Sequence, residues 1–318
     1  MISCRCGHAE AKPKCKRDRP VAPIRTHRRS VSVSLRAMIE PLQLEEIVAA
    51  RERGASVVLT TPVLPSTSFA KVAGRDVILK AENLQRTGSF KIRGAMNALA
   101  TLEAAQARRG VVAASAGNHA QGVALAAQTL DVPATVFMPL GAAIPKINAT
   151  EAYGATVVLA GNNLGEAVDH ALAFEAEHGA QFIHPYDNRA IIAGQGSLGL
   201  EVLEQVPEMA TLVVPIGGGG LISGVATAVK ALRPDITIVG VQSEAVPTYV
   251  ESRRLGKPTA VEPKPTVADG IACHLPSALA FDCIERWVDD IITVDDVAAT
   301  KAVTLLLERA KYLVEPSG

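Results

Sequence analysis

From residue 38 onward the chain alternates short β-branched apolar runs with stretches of helical periodicity, and few folds accommodate that rhythm. Strands are predicted at 77–79, 111–113, 135–137, 156–159, 181–183, 212–214, 236–241 and 291–294. Helices are predicted at 41–53, 89–105, 119–129, 146–153, 164–178, 190–205, 221–232 and 297–309. Within 89–105, Ile92, Ala95, Met96, Leu99 and Leu102 recur at helical spacing. The continuous apolar run 211–216 implies a strand covered on both faces. The expected class is α/β, with two open, mostly parallel sheets covered by helices. Such sheets bind ligands beyond the carboxyl ends of their strands. A site is therefore expected in loops that leave a strand and enter a helix.

Charge separates the chain into two parts. Its formal net charge is zero, yet residues 1–37 hold ten of the 32 basic side chains and two of the 32 acids. The remainder carries a net charge of −8, which argues against binding a phosphate backbone. Aromatic residues make up only 3%, too few for base stacking. No apolar run approaches the ~20 residues of a membrane span. The expected partner is thus a small molecule, with neither nucleic acid nor membrane. Five cysteines without a secretory signal fit free thiols in a reducing compartment, the cytoplasm.

Residues 1–37 read as a basic, disordered leader, with Met38 as the working start. Pro13, Pro20 and Pro23 break the amphipathic helix of a transit peptide. Cys4 and Cys6 are too close for a paired zinc motif with His8 and Cys15, so no metal is expected.

Three segments carry chemistry. The run 212–216 enters Gly217, Gly218, Gly219 and Gly220, followed by a helix. Four glycines expose backbone N–H groups, and a helix N-terminus adds a favourable dipole for phosphate. No Gly-Lys-Ser/Thr follows, which excludes a nucleotide triphosphate loop. A dinucleotide stays open here, because Gly218, Gly220 and Gly224 form a loose fingerprint and Glu244 could meet a ribose hydroxyl. Lys91 lies between Phe90 and Ile92 near a helix start. A buried lysine has a lowered pKa and can form a Schiff base. Finally, Ser115-Ala116-Gly117-Asn118-His119 joins a strand to a helix. It can be an ordinary cap or a carboxylate-binding turn.

Together these segments resemble the threonine dehydratase and serine racemase family of pyridoxal-phosphate enzymes, of the tryptophan-synthase-β-like class. The resemblance rests on Ser89-Phe90-Lys91-Ile92-Arg93-Gly94-Ala95, on Ser115-Ala116-Gly117-Asn118-His119-Ala120-Gln121-Gly122 and on the four glycines, and runs from about residue 61 to 318. It implies pyridoxal 5'-phosphate carried by Lys91, which also acts as base at the substrate α-carbon. It implies Phe90 against the pyridine ring and Asn118 on the phenolic oxygen. Ser115, Gly117, Asn118 and His119 would hold the substrate carboxylate, with Ser115 counted as catalytic beside Lys91. Gly217, Gly218, Gly219 and Gly220 would hold the phosphate, and Asp269, Gly270 and Glu315 would line the pocket. The implied reaction converts L-threonine to 2-oxobutanoate and ammonia, and L-serine to pyruvate, in amino-acid metabolism such as isoleucine biosynthesis. A homodimer or homotetramer is implied.

Three departures refine that expectation. The second serine of racemases is Ala116 here, which favours elimination over racemisation. Their cation ligands correspond to Gln242 and Thr248. The chain stops at Gly318, before the family's Ser-Gly-Gly-Asn turn that meets the pyridine nitrogen, which implies a truncated cofactor domain. The expected domains are a large one from 38–107 and 188–318 and a small one from 108–187. Three other readings remain: a serine racemase, an NAD-dependent dehydrogenase, and a non-catalytic amino-acid binder.

Overall fold

The computed structural model describes residues 2–5 and 40–318. In chain order, β1 (Ile2–Arg5), α1 (Leu44–Gly54), β2 (Val63–Pro65), α2 (Thr67–Ala73) and β3 (Val77–Lys80) come first. Then follow α3 (Lys91–Ala100), α4 (Ala104–Arg109), β4 (Val111–Ala114), α5 (Asn118–Leu130), β5 (Ala134–Met138), α6 (Ile144–Glu151), β6 (Thr156–Leu159), α7 (Leu164–His178) and β7 (Gln181–Phe182). The last stretch holds α8 (Arg189–Gln205), β8 (Met209–Pro215), α9 (Gly220–Leu232), β9 (Thr237–Ser243), α10 (Thr248–Leu255), α11 (Ala278–Trp287), β10 (Asp290–Val294) and α12 (Asp296–Leu305).

Two sheets result. One has the order β10-β9-β8-β1-β3-β2, the other β6-β5-β4-β7. The second sheet is wholly parallel. The first is mixed: β8, β9 and β10 pair in parallel, while β1 and β2 pair antiparallel to their neighbours.

The strand β1 departs from the sequence expectation. Its backbone pairs with both β3 and β8, so these four residues are not a disordered leader. The slot explains it. β3 and β8 each offer a row of N–H and C=O groups, and one extended segment satisfies both rows. Residues 6–37 of that expected leader lie outside the described residues. The expected helix over 89–105 also differs, because it divides at Thr101. Glu103 starts a separate helix with a capping box closed by Gln106, and that local exchange of hydrogen bonds outweighs the continuing apolar period.

The helix that carries Lys91 is pinned from two sides. Ile92 is fully buried with Met96, Leu99 and Val123 in one core cluster. Burying a side chain of that size contributes about 2 kcal/mol. On the opposite flank α3 meets α8 backbone to backbone at Gly94 and Gly194. A Cβ on Gly194 would sit 2.5 Å from the Arg93 carbonyl oxygen, so no larger residue fits.

Buried charges complete the support. Arg93, two residues past Lys91, donates to Glu82 at 2.8 Å and pairs with Glu201 at 2.9 Å. Lys80 binds Glu201 from the other side and donates to the Thr61 carbonyl at 2.6 Å. Burial works against the Glu201 charge, but Arg93 and Lys80 outweigh it and hold the carboxyl below the usual range. Removing one member would strand the others, at a cost of about 3–5 kcal/mol.

Candidate pyridoxal-phosphate site

The site lies where both sheets send strands into helices. Lys91 begins α3, and its Nζ stands 3.3 Å from the Pro185 carbonyl oxygen and 5.4 Å from the centre of the Phe90 ring. Desolvation pushes the ammonium below the ordinary lysine range; Cys273 and Glu315 pull weakly the other way. The neighbouring helix α5 packs on this lysine at Gly122, where a Cβ would lie 3.2 Å from the Lys91 Cβ.

The turn from β4 into α5 holds the next residues. Ser115 Oγ accepts from the Gly117 N–H at 3.2 Å, which leaves its own proton free to donate outward. Asn118 opens α5, and its Nδ2 donates to Glu315 Oε1 at 2.8 Å. Burial pushes the Glu315 carboxyl up. The first backbone N–H groups of a helix lack internal partners, so this turn presents donors to an anion. The His119 ring turns out to be committed elsewhere. It is buried with Nε2 2.8 Å from the Ile183 carbonyl oxygen, and desolvation lowers its pKa to about 3. An imidazole bound to the backbone leaves the His119 main-chain N–H as the group this residue can offer a carboxylate.

The glycine loop connects β8 to α9. Gly219 adopts φ +87°, a conformation only glycine takes readily, and Gly220 begins the helix. The loop meets parts of the molecule that sequence reasoning did not single out. The Tyr186 ring lies on Gly218, where a Cβ would fall 2.1 Å from its Cγ, and the Tyr186 hydroxyl donates to the Leu275 carbonyl. Cys273 receives the Gly218 N–H on its sulfur, and burial pushes its thiol up. His184 accepts the N–H groups of Tyr186 and Asp187 on Nδ1, so its ring shapes that turn. The signal for Tyr186 was available: 184–187 follows β7, and a strand's carboxyl end is where a ligand loop belongs.

Gly270 lies in the short turn Asp269–Ile271 against the chain's last residues. A Cβ there would be 2.8 Å from Ser317 Oγ and 3.5 Å from Glu315 Oε1. The Ser317 hydroxyl is buried without a hydrogen-bond partner. Gln242 and Thr248 are bound by protein groups: Gln242 Oε1 accepts from Tyr249 and Val250 N–H, and Thr248 donates to the Cys273 carbonyl. Among the described residues no three side chains cluster to hold a metal ion.

These residues fit pyridoxal phosphate. A desolvated lysine with a single long contact is free to react with an aldehyde. A four-glycine loop at the start of a 13-residue helix suits its phosphate. An unsatisfied buried hydroxyl beside the pocket awaits a polar partner.

Comparison with known proteins agrees with this geometry. Residues 55–318 match the family described as pyridoxal-phosphate dependent enzyme, and the chain belongs to that family. It is 47% identical over 277 residues to an L-threonine ammonia-lyase of Thermotoga maritima, covering 87% of this chain and 69% of that protein. It is 41% identical to the catabolic L-threonine dehydratase of Escherichia coli K12, covering 87% of this chain and 84% of that protein. A maize serine racemase structure superposes with a TM-score of 0.85 at 38% identity, covering 87% of this chain and 84% of that one. The dinucleotide reading of the glycine loop, and with it the dehydrogenase, gives way to the pyridoxal-phosphate one.

Proposed function

We propose that the chain is a pyridoxal-phosphate-dependent ammonia-lyase that converts L-threonine to 2-oxobutanoate and ammonia, and L-serine to pyruvate and ammonia. The observation that carries this reading is the desolvated Lys91 amine, near Cys273, which takes the Gly218 N–H, and Glu315, which takes the Asn118 amide. The 41–47% identity to threonine ammonia-lyases supports the substrate.

When bound, pyridoxal phosphate supplies an electron sink for charge that develops at the substrate α-carbon. The N–H groups of Gly217, Gly219 and Gly220 would hold its phosphate, and Gly218, whose N–H turns to the Cys273 sulfur, would complete the loop around it. Phe90 would pack against its ring and Asn118 would reach its phenolic oxygen, with Gly270 and Glu315 at the pocket wall. Ser115, Asn118 and the N–H groups of Gly117 and His119 hold the substrate carboxylate. Lys91, whose charged form burial disfavours, removes the α-proton. Loss of the β-hydroxyl as water, tautomerisation and hydrolysis then yield the keto acid and ammonium.

The large domain of this reading comprises 38–107 and 188–318, and the small domain 108–187, which contains the whole second sheet. The enzyme works in the cytoplasm as a homodimer or homotetramer. No described helix is long and apolar enough to cross a membrane.

The direct test mixes purified protein with pyridoxal phosphate and L-threonine and measures 2-oxobutanoate, with L-serine and pyruvate in parallel. Lys91→Ala should abolish turnover. Turnover that survives Lys91→Ala would overturn the assignment. A second reading, serine racemase, is favoured by the maize structure. Ala116 weighs against it, since a methyl group has no proton to deliver to the opposite face of the α-carbon. D-serine from L-serine would establish it.

A further inference from the structure

A loop of four glycines has no rigidity of its own, yet a phosphate site must hold its N–H groups in one direction. The hazard is a peptide flip. In a trans peptide the carbonyl of one residue and the N–H of the next point opposite ways. Turning the Gly218–Gly219 peptide over would aim an oxygen, instead of a donor, at an anion.

One buried side chain holds that peptide. Tyr249, on α10, is fully buried. Its hydroxyl donates to the Gly218 carbonyl oxygen at 2.8 Å and accepts the Ser277 N–H at 3.2 Å. Gly219 lies against the same oxygen, where a Cβ would approach to 2.5 Å. Both ends of the bridge are anchored. The Tyr249 N–H is held by Gln242 Oε1 at 2.9 Å, which fixes the phenol's base to β9. Ser277 caps α11, accepting from the Ala280 N–H at 3.1 Å and donating to Asp187 at 2.6 Å. Desolvation pushes the phenol's pKa up, so it remains a donor across the working range of pH.

We infer that Tyr249 is a positioning residue for phosphate recognition: its hydroxyl locks the Gly218 carbonyl and thereby points the Gly219 N–H toward the cofactor phosphate. It touches neither substrate nor cofactor and acts through the peptide it holds. This inference rests on the phosphate-binding reading of the loop.

The test compares pyridoxal phosphate with pyridoxal, which lacks the phosphate. Each is titrated into cofactor-free protein and followed by absorbance, for wild type and for Tyr249→Phe, which keeps the ring and removes the hydroxyl. The expected result is a roughly tenfold weaker affinity for pyridoxal phosphate, the scale of one hydrogen bond, with pyridoxal affinity unchanged. Should Tyr249→Phe fail to fold, Tyr249→Met fills much of the same space without a hydroxyl and carries the same expectation. Equal losses for both ligands would mean a merely structural role, and no loss would mean the loop holds itself; either overturns the inference. If wild type itself shows no preference for the phosphorylated ligand, the loop assignment fails first.

Discussion

The turn into α5 and the loop into α9 both deliver a helix N-terminus to the same site, and they are built in opposite ways. The first works with side chains: Ser115 and Asn118 carry its hydrogen-bonding groups, and Asn118 reaches across to Glu315. The second has none. Its shape is imposed from outside by the Tyr186 ring and the Tyr249 hydroxyl. The contrast suits the two anions they would meet. A phosphate accepts many donors at once and is served by clustered backbone N–H groups. A substrate must also be oriented for reaction, which calls for directional side chains.

Substitutions can break this contrast. The largest effect is expected at Gly219. Gly219→Ala forces a side chain onto φ +87° and drives a Cβ to within 2.5 Å of the Tyr249 hydroxyl. Affinity for pyridoxal phosphate should fall by roughly a hundredfold in an equilibrium titration. Unaltered affinity would show that the loop tolerates side chains after all.

Asn118→Ala should strike the other side of the comparison. We expect kcat/KM for L-threonine to drop on the order of thirtyfold, with cofactor content retained. A steady-state assay beside the cofactor's absorbance separates the two effects. If cofactor is lost and the turnover of the remaining holoenzyme is normal, the turn serves the cofactor alone.

Lys91, between the two, predicts a pH dependence. Its pKa in the folded, cofactor-free protein lies below the ordinary 10.5 because burial disfavours its charge. Between those two values the unfolded chain binds the extra proton, so this group's contribution to stability rises with pH. Lys91→Met should therefore raise the melting temperature of cofactor-free protein at neutral pH, and the gain should shrink as pH approaches 10.5. A gain independent of pH would point to packing instead of desolvation.

The smallest effect concerns Ala116, in the side-chain turn. Ala116→Ser restores a hydroxyl proton there, and D-serine should form from L-serine at on the order of 1% of the elimination rate, read by chiral chromatography. No D-serine would place position 116 away from the α-carbon.

Much of this was legible before any coordinates. The periods of Ile92, Met96 and Leu99, and the apolar runs that became β4, β5 and β8, announced parallel strands and covering helices, because burial acts through spacing. Lys91, the Ser115–Asn118 turn and the four glycines stood out because each pairs an unusual residue with a strand-to-helix junction. The elements β2, α2, α10 and α11 went unseen. The three residues of β2 and the seven of α2 give a periodic pattern little length in which to show. The partner of the His119 ring could not be read from the sequence, because the Ile183 carbonyl reaches it only in the fold.

The sequence by itself determined which groups are present: one lysine at a helix start, a hydroxyl and an amide at another, and a glycine run that only backbone can serve. The tertiary structure alone decided what those groups can do. The Lys91 amine is desolvated because the fold brings parts of the chain as distant as Pro185 against it. The glycines can face one way because Tyr249, thirty-one residues on, holds the Gly218 carbonyl. Desolvation and the aim of a peptide plane are properties of neighbours in space, and composition and spacing do not encode them locally.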